Sequence, residues 1–206
     1  MDALIQKLHP ALHPGRQLVV ADSGKPLFSR QGDWDGGSPL HCVAMALALL
    51  GKLSDPVQIR QHTKGPDSHF WDRAWPHYLH GLTLSELASF IWELNRGARP
   101  VTAEGNGATV LRFCVRELSK GWPVIVGWHT GRHAHAALAI GIEGRQRSRR
   151  FTPHALLLLD PAESEPGLAG FNARLEFGER KRLLVTAAAT QPLTLEGAVS
   201  IRLKPP

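Results

Sequence analysis

The sequence predicts an α+β fold in which a helical first half precedes a sheet-forming second half. Two observations predict this order: apolar residues recur at helical spacing before Gly121, and from Pro123 onward the apolar runs become short and strand-like. Turn residues and charges separate those short runs, which is typical of an antiparallel sheet. The 206 residues show no internal repeat and no linker, so we expect one domain over residues 1–206.

The first half begins with a predicted short helix or arm over residues 1–16, followed by a strand-like LVVA run at 18–21. The apolar run CVAMALALLG predicts a buried helix over about 38–50, because its alanines and leucines favour a helix and Gly51 supplies a stop. Residues 65–81 are rich in aromatic and histidine side chains, which indicates an irregular segment with short helices.

Two amphipathic helices are predicted next. Thr83 or Ser85 would cap a helix through LSELASFIWELNRG that ends at Gly97. The segment 109–121 forms the other helix and places Cys114 on its apolar face, so we expect Cys114 in the core. The strands predicted after it are PVIVGWH, HAALAIGIEG, ALLLLDP, RLEFG, KRLLVTAAA and GAVSIRLK.

Composition argues against several classes of protein. With 43% hydrophobic and 20% charged residues, the chain is typical of globular rather than disordered proteins. No apolar run approaches the roughly 18–20 residues that cross a bilayer, and the N-terminal residues lack the pattern of a secretory signal. Two cysteines do not suggest a disulfide framework. We therefore expect a cytoplasmic protein without a membrane partner.

The net charge of +6 has its densest run in a predicted hairpin loop that contains Arg145, Arg147, Arg149 and Arg150. A solvated basic loop is favoured over a loop that contacts substrate or nucleic acid, because no stacking aromatic pattern accompanies the arginines. We expect no nucleic-acid partner, and the sequence does not indicate an oligomeric state.

Residues suited to nucleophilic catalysis occur in order along the chain. Such a site needs a nucleophile, a base, a group that orients the base, and donors for the oxyanion. His135 opens the HAALAIGI strand, and Asp160 ends the ALLLLDP run. Upstream, Gln31 precedes the predicted helix over 38–50. A helix N-terminus lowers the pKa of a thiol, which suits a nucleophile at that place.

These motifs resemble the papain-like cysteine peptidases and are most similar to their bacterial bacteriocin-processing (double-glycine) branch. The resemblance covers roughly residues 31–51 and 121–161. It implies a papain-like fold, in which a central nucleophile-bearing helix of the N-terminal part packs on a C-terminal antiparallel sheet. It also implies hydrolysis of a peptide bond in a peptide or protein substrate, without a cofactor or metal. His135 would be the base, Asp160 its orienting acid and Gln31 an oxyanion donor.

The nucleophile position of this resemblance falls on Ser38 rather than on a cysteine. Aligning the apolar run of the family motif places Cys42 about one turn inside the helix, at a non-catalytic position. Ser38 then follows Gln31 by seven residues, and Pro39 stands where the family commonly has glycine. Proline fits the first turn of a helix. Ser38 would therefore be both the helix N-cap and the nucleophile position.

Three interpretations of Ser38 are open. In the first, the parent sequence has cysteine at this position and this chain carries an inactivating Cys-to-Ser change. In the second, the serine is natural, and the protein is a non-catalytic pseudopeptidase, a peptide-binding module or a rare serine enzyme. In the third, Cys42 is the true nucleophile, although a cysteine inside an apolar helix is usually buried and inert. We expect papain-like peptidase chemistry in the parent sequence and an inactive chain as it stands. A transglutaminase-like transferase would use the same Cys-His-Asp set.

Alternatives also exist for the histidine and the aspartate. His133 shares a strand face with His135 and is a second candidate base. The same spacing would admit a metal site with His129 or His77. Asp160 precedes a proline, so on local grounds it is also a turn-forming residue.

Overall fold

The computed structural model describes residues 2–32, 36–57, 67–131, 133–178 and 181–204. The strands are β1 (Asp2–Leu8), β2 (Leu12–His13), β3 (Val19–Val20), β4 (Ala98–Glu104), β5 (Val124–Thr130), β6 (His133–Arg147), β7 (Arg150–Leu159), β8 (Ala173–Phe177), β9 (Arg182–Thr186), β10 (Thr190–Pro192) and β11 (Thr194–Leu203). The helices are α1 (Ser38–Leu49), α2 (Ser68–Ala74), α3 (Leu84–Glu93) and α4 (Gly107–Leu118), with a 3₁₀ turn at Trp75–His77.

Within these residues, nine strands form one antiparallel sheet in the order β10-β9-β8-β7-β6-β5-β11-β4, and β1 pairs with the second half of β6. The strands β2 and β3 make a separate two-stranded ribbon. The predicted α+β class with a large antiparallel sheet is confirmed. Of the helices that the described residues form, none combines the length and apolar character needed to cross a bilayer.

The first half is less helical than predicted, because residues 2–8 and 98–104 form strands of the large sheet. The segment predicted as a helix or arm is β1, which runs antiparallel to β6 from Asp2 opposite Arg147 to Leu8 opposite Gly141. A Cβ on Gly141 would lie 2.6 Å from a backbone oxygen of β1, so glycine permits this close approach. The other strand that was not predicted, β4, is an edge strand paired with β11. Both strands depend on partners distant in sequence, which local patterns do not reveal.

The sheet is covered on both faces, and this explains its continuous apolar strands. Along β6, Leu138 and Ile140 belong to a core with α1 and α3, whereas Ala137 and Ala139 belong to a second core with α4. Successive residues of a strand point to opposite faces, so a strand buried on both sides shows no polar alternation. The middle of β6 is therefore a long run of small and apolar residues.

The helix α1 agrees closely with its predicted bounds, whereas α3 ends at Glu93 rather than at Gly97, and α4 spans Gly107–Leu118 rather than 109–121. The helix α1 is buried along its whole length, and Gly51 follows it with a φ of +67°. A capping box begins α3, in which Thr83 and Glu86 bind each other's backbone N–H groups, so Thr83 rather than Ser85 is the cap. Cys114 is fully buried in α4, as predicted.

The basic run lies where β6 and β7 join. Arg145 and Arg147 belong to β6 itself, and the turn that follows has Ser148 in a left-handed conformation with a φ of +53°. The predicted loop is therefore mostly strand. Arg145 forms an exposed ion pair with Asp2 at 3.3 Å, which ties the hairpin to β1.

Candidate active site

Ser38 is the first residue of α1, and its N-cap is Gly37. The backbone oxygen of Gly37 accepts hydrogen bonds from the N–H groups of Leu40 at 2.8 Å and His41 at 3.0 Å. The helix therefore begins on the Gly37 carbonyl, and the prediction that Ser38 is the N-cap is wrong. Pro39 lies in the first turn, as predicted, where its missing N–H costs no helical hydrogen bond.

The side chains of Ser38 and Cys42 both contact the backbone of Ala136 in β6. The Ser38 Oγ accepts a hydrogen bond from the Ala136 N–H at 3.3 Å, and the Cys42 Sγ lies 3.7 Å from the Ala136 oxygen. Residues four apart share a face of a helix, so these two side chains form one row. Pairing of β7 with β6 begins only at Leu138, and α1 supplies partners for the preceding stretch of strand.

His135 and Asp160 form the closest polar contact of the site. The His135 Nε2 lies 2.7 Å from Oδ1 of Asp160, which directly follows the last residue of β7. Asp160 is buried, whereas the His135 side chain keeps 22% of its surface exposed. The Trp128 ring, directly opposite on β5, meets the His135 ring edge to face with centroids 5.2 Å apart. The imidazole is thus held on two sides, and its Nδ1 takes no part in the contact with Asp160.

Asn172 holds the backbone of Asp160. The Asn172 Oδ1 accepts from the Asp160 N–H at 2.7 Å, and its Nδ2 donates to the Asp160 oxygen at 2.9 Å. The same Nδ2 donates to the Ser164 oxygen at 3.0 Å, which closes the loop after β7. The Asp160 Oδ1 also accepts from the Ala162 N–H at 3.0 Å, so this aspartate both turns the chain and faces His135. Sequence reasoning missed Asn172, because no motif marks it.

Gln31 lies beside the turn that follows Asp160. Its backbone N–H donates to the Pro161 oxygen at 2.9 Å, which brings the segment before α1 against the end of β7. Among the described residues that line the cleft around Ser38, however, Gln31 is not included. Residues 33–35 of the motif lie outside the described residues. The oxyanion role of Gln31 stays a prediction.

Ser38 and His135 line one cleft of about 290 Å³. One wall is the start of α1 together with the loop before α3, and the other is formed by β5, β6 and β11. The lining residues are Gly36, Ser38, Pro39, His80, Gly81, Leu82, Thr83, Leu84, Gly127, His129, Ala134, His135, Ala136 and Glu196. Of the histidines in the segment that was predicted to be irregular, His80 lines the cleft.

Two glycines let the two parts of the first wall, the start of α1 and the loop before α3, touch each other. A Cβ on Gly36 would lie 2.9 Å from the Leu79 oxygen, and one on Gly81 would lie 2.7 Å from the Gly36 oxygen. Gly81 also has a φ of +72°, which disfavours other residues. The two backbones can touch because neither residue has a side chain. This contact holds the loop before α3 against the start of α1.

Cys42 is poorly placed to act as a nucleophile. It is fully buried, and burial raises the pKa of the Cys42 thiol well above its ordinary value, with the Asp160 carboxylate adding to the effect. Burial likewise raises the pKa of Cys114 to about 12. The reactive form of cysteine is the thiolate, so both thiols favour the unreactive form at neutral pH.

We predict that neither cysteine reacts with iodoacetamide in the folded protein near neutral pH. The raised pKa values also make the folded state less stable above about pH 9, because unfolded thiols can then ionise and folded ones cannot. Mass spectrometry of alkylated protein, with and without urea, measures the first effect, and urea unfolding at pH 8 and pH 10 measures the second. Rapid alkylation of Cys42 in the folded state would contradict the prediction.

The remaining candidate histidines lie apart from one another. His133 is exposed at the start of β6, His77 packs its ring against Phe90, and His129 forms an ion pair with Glu196 at 3.3 Å. Over the residues that the structure describes, no group of three or more His, Cys, Asp or Glu side chains could hold a metal ion.

Comparison of the sequence with protein-family models and with curated proteins finds no match. The resemblance to papain-like peptidases therefore depends on the motifs and on the arrangement of Ser38, His135 and Asp160.

Proposed function

We propose that this domain has a papain-like fold and peptidase site whose nucleophile position holds serine, so that it binds peptides and hydrolyses them very slowly. The observation that carries the proposal is that Ser38, the first residue of α1, and His135, which contacts Asp160, line one cleft. The wall opposite α1 comes from the antiparallel sheet, which agrees with a nucleophile-bearing helix packed on a sheet.

A cysteine at position 38 would have the groups that thiol catalysis needs. The first turn of a helix has N–H groups without helical partners and a partial positive charge, which stabilise a thiolate and a developing oxyanion. His135 would take the nucleophile's proton through Nδ1 and later give it to the leaving amine. Asp160 would hold the imidazole through Nε2, and Gln31 is the candidate side-chain donor to the oxyanion.

With serine at this position His135 would have to take the proton of an alcohol, whose pKa is far above that of a thiol. In addition, the Ser38 Oγ accepts its hydrogen bond from the Ala136 N–H, and among the described residues no hydrogen bond joins Ser38 to His135. The serine hydroxyl is therefore part of the contact between α1 and β6. This second observation favours a peptide-binding module without turnover as the alternative function.

The test compares the present protein with the Ser38→Cys variant on a mixed peptide library, with cleavage followed by mass spectrometry and affinity by fluorescence anisotropy. We expect both proteins to bind the same peptides and the cysteine form to cleave them faster by several orders of magnitude. An added primary amine separates hydrolysis from acyl transfer, because a transferase would yield amide products.

A Ser38→Cys protein that is no faster, together with a Cys42→Ala protein that is equally inert, would contradict the peptidase proposal. Peptide binding by such proteins would instead support the binding-module alternative.

A further inference from the structure

Glu196 is brought to the cleft by an irregularity in β11. This strand pairs with β5 in regular register up to Leu195, and the pairing resumes at Gly197 opposite Gly127. Glu196 is therefore an extra residue in β11, as in a β-bulge. Bulges change the direction of a side chain and are common beside active sites. Here the bulged residue lines the same cleft as Ser38 and His135.

The carboxylate of Glu196 remains open to a ligand. Its Oε2 lies 3.3 Å from the Nε2 of His129, and the two side chains keep 39% and 43% of their surfaces exposed. Among the described residues that line the cleft, Glu196 is the single acid. An exposed carboxylate in a cleft binds a cation through charge-assisted hydrogen bonds, which are stronger than those between neutral groups.

Small residues form the floor between Glu196 and Ser38. A Cβ on Gly127 would lie 3.1 Å from the Leu84 side chain, and one on Gly197 would lie 2.9 Å from it. The two glycines thus give Leu84 the space to pack against β5 and β11. Ala134 and Ala136 add small side chains to the lining. Leu84 therefore covers Gly127 and Gly197, and a peptide that runs from Ser38 toward Glu196 would pass over the Leu84 side chain.

The strand pairing gives the approximate distance between Glu196 and Ser38. Ala136, which binds Ser38, is opposite Gly127 of β5, and Gly127 is opposite Gly197 of β11. Neighbouring strands lie about 4.8 Å apart, so two spacings amount to about 10 Å. An extended peptide advances about 3.3 Å per residue, and about three residues cover that distance.

We propose that Glu196 makes this cleft select peptides that carry lysine or arginine within about three residues of the bond that faces Ser38. The inference rests on the proposed function, because it assumes that a peptide occupies the cleft. Glu196 acts as a specificity-determining residue, and His129 holds its carboxylate in place.

The experiment uses the present protein and fluorescent peptides in which lysine is moved along the chain and compared with norleucine, an uncharged residue of similar length. We expect lysine at one position to improve affinity about tenfold at low salt, as for one charge-assisted contact. Glu196→Gln should remove this advantage, and Glu196→Lys should transfer it to peptides with glutamate at that position.

Glu176→Gln is the matched control. Like Glu196, Glu176 is a half-exposed strand residue in an ion pair, which it forms with Arg174 at 3.2 Å. Unlike Glu196, it does not line the cleft. This variant should leave the lysine advantage unchanged. A lysine advantage that persists in Glu196→Gln, or no lysine advantage at all, overturns the inference and leaves the proposed function standing. If no peptide binds to the present protein or to Ser38→Cys, the proposed function fails and the inference fails with it.

Discussion

The Ser38→Cys protein is expected to react with iodoacetamide at pH 7 on the order of 100-fold faster than either native cysteine, because position 38 combines three favourable features. It opens α1, where the helix dipole stabilises a thiolate. It lines the same cleft as His135, the proposed base. It also lines the cleft, where it keeps 5% of its surface exposed, whereas Cys42 is fully buried one turn further along the helix.

The reaction rate at pH 5 to 9 and the mass of the labelled peptide measure this effect. An ordinary thiol has a pKa of about 8.5, so its rate rises steeply through neutral pH, whereas a thiolate stabilised at position 38 should react well below pH 7. Ser85→Cys is the matched control, because it makes the same change in the first turn of α3, on an exposed surface. Equal rates and equal pH profiles for the two variants would contradict the proposed site.

The second large effect is expected for His135→Ala in the Ser38→Cys protein. Loss of the base should lower peptide hydrolysis about 1,000-fold, within the range of 10² to 10⁴ that general acid–base catalysis contributes. The reaction of position 38 with iodoacetamide should also move to higher pH, because no imidazolium then pairs with the thiolate. If His135→Ala only disturbed the structure of the site, the pH dependence of the iodoacetamide reaction would stay unchanged.

His133→Ala is the control for this prediction, since His133 lies two residues away on the same strand and is exposed. It should keep the activity of the Ser38→Cys parent. His135→Gln preserves more of the contact with Trp128 and should be as inactive as His135→Ala, which separates chemistry from packing. If His133→Ala abolishes activity and His135→Ala does not, the base is His133 and the assignment is wrong.

Parts of the site could be predicted because their signals are local. The helix over 38–50 has a run of alanine and leucine, a proline in its first turn and a glycine after its end, and the structure places α1 at Ser38–Leu49. His135 and Asp160 stand at the ends of apolar runs, so the sequence alone sets them apart from the apolar residues of those strands. Their meeting at 2.7 Å follows from the pairing of β6 with β7, which adjacent strands joined by a short turn commonly adopt.

Other parts could not be predicted because they depend on partners far along the chain. Asn172 binds the backbone of Asp160 from a loop 12 residues away, and a single asparagine in a loop has no distinctive pattern. Glu196 reaches the cleft through a bulge, which is a matter of register between two strands rather than of composition. The first residues form β1 because β6 is long enough to extend beyond β5, and no property of residues 1–16 alone indicates that.

The sequence by itself determined which side chains are available for chemistry and which elements carry them: a serine opening a buried helix, a histidine opening a strand and an aspartate ending one. The tertiary structure decided what each side chain contacts. It joined His135 to Asp160 and bound the Ser38 hydroxyl to the Ala136 N–H rather than to the histidine. The physical reason is that helix and strand periodicity depends on neighbours in the chain, whereas a hydrogen bond across a cleft depends on strand register and on the placement of a helix against the sheet.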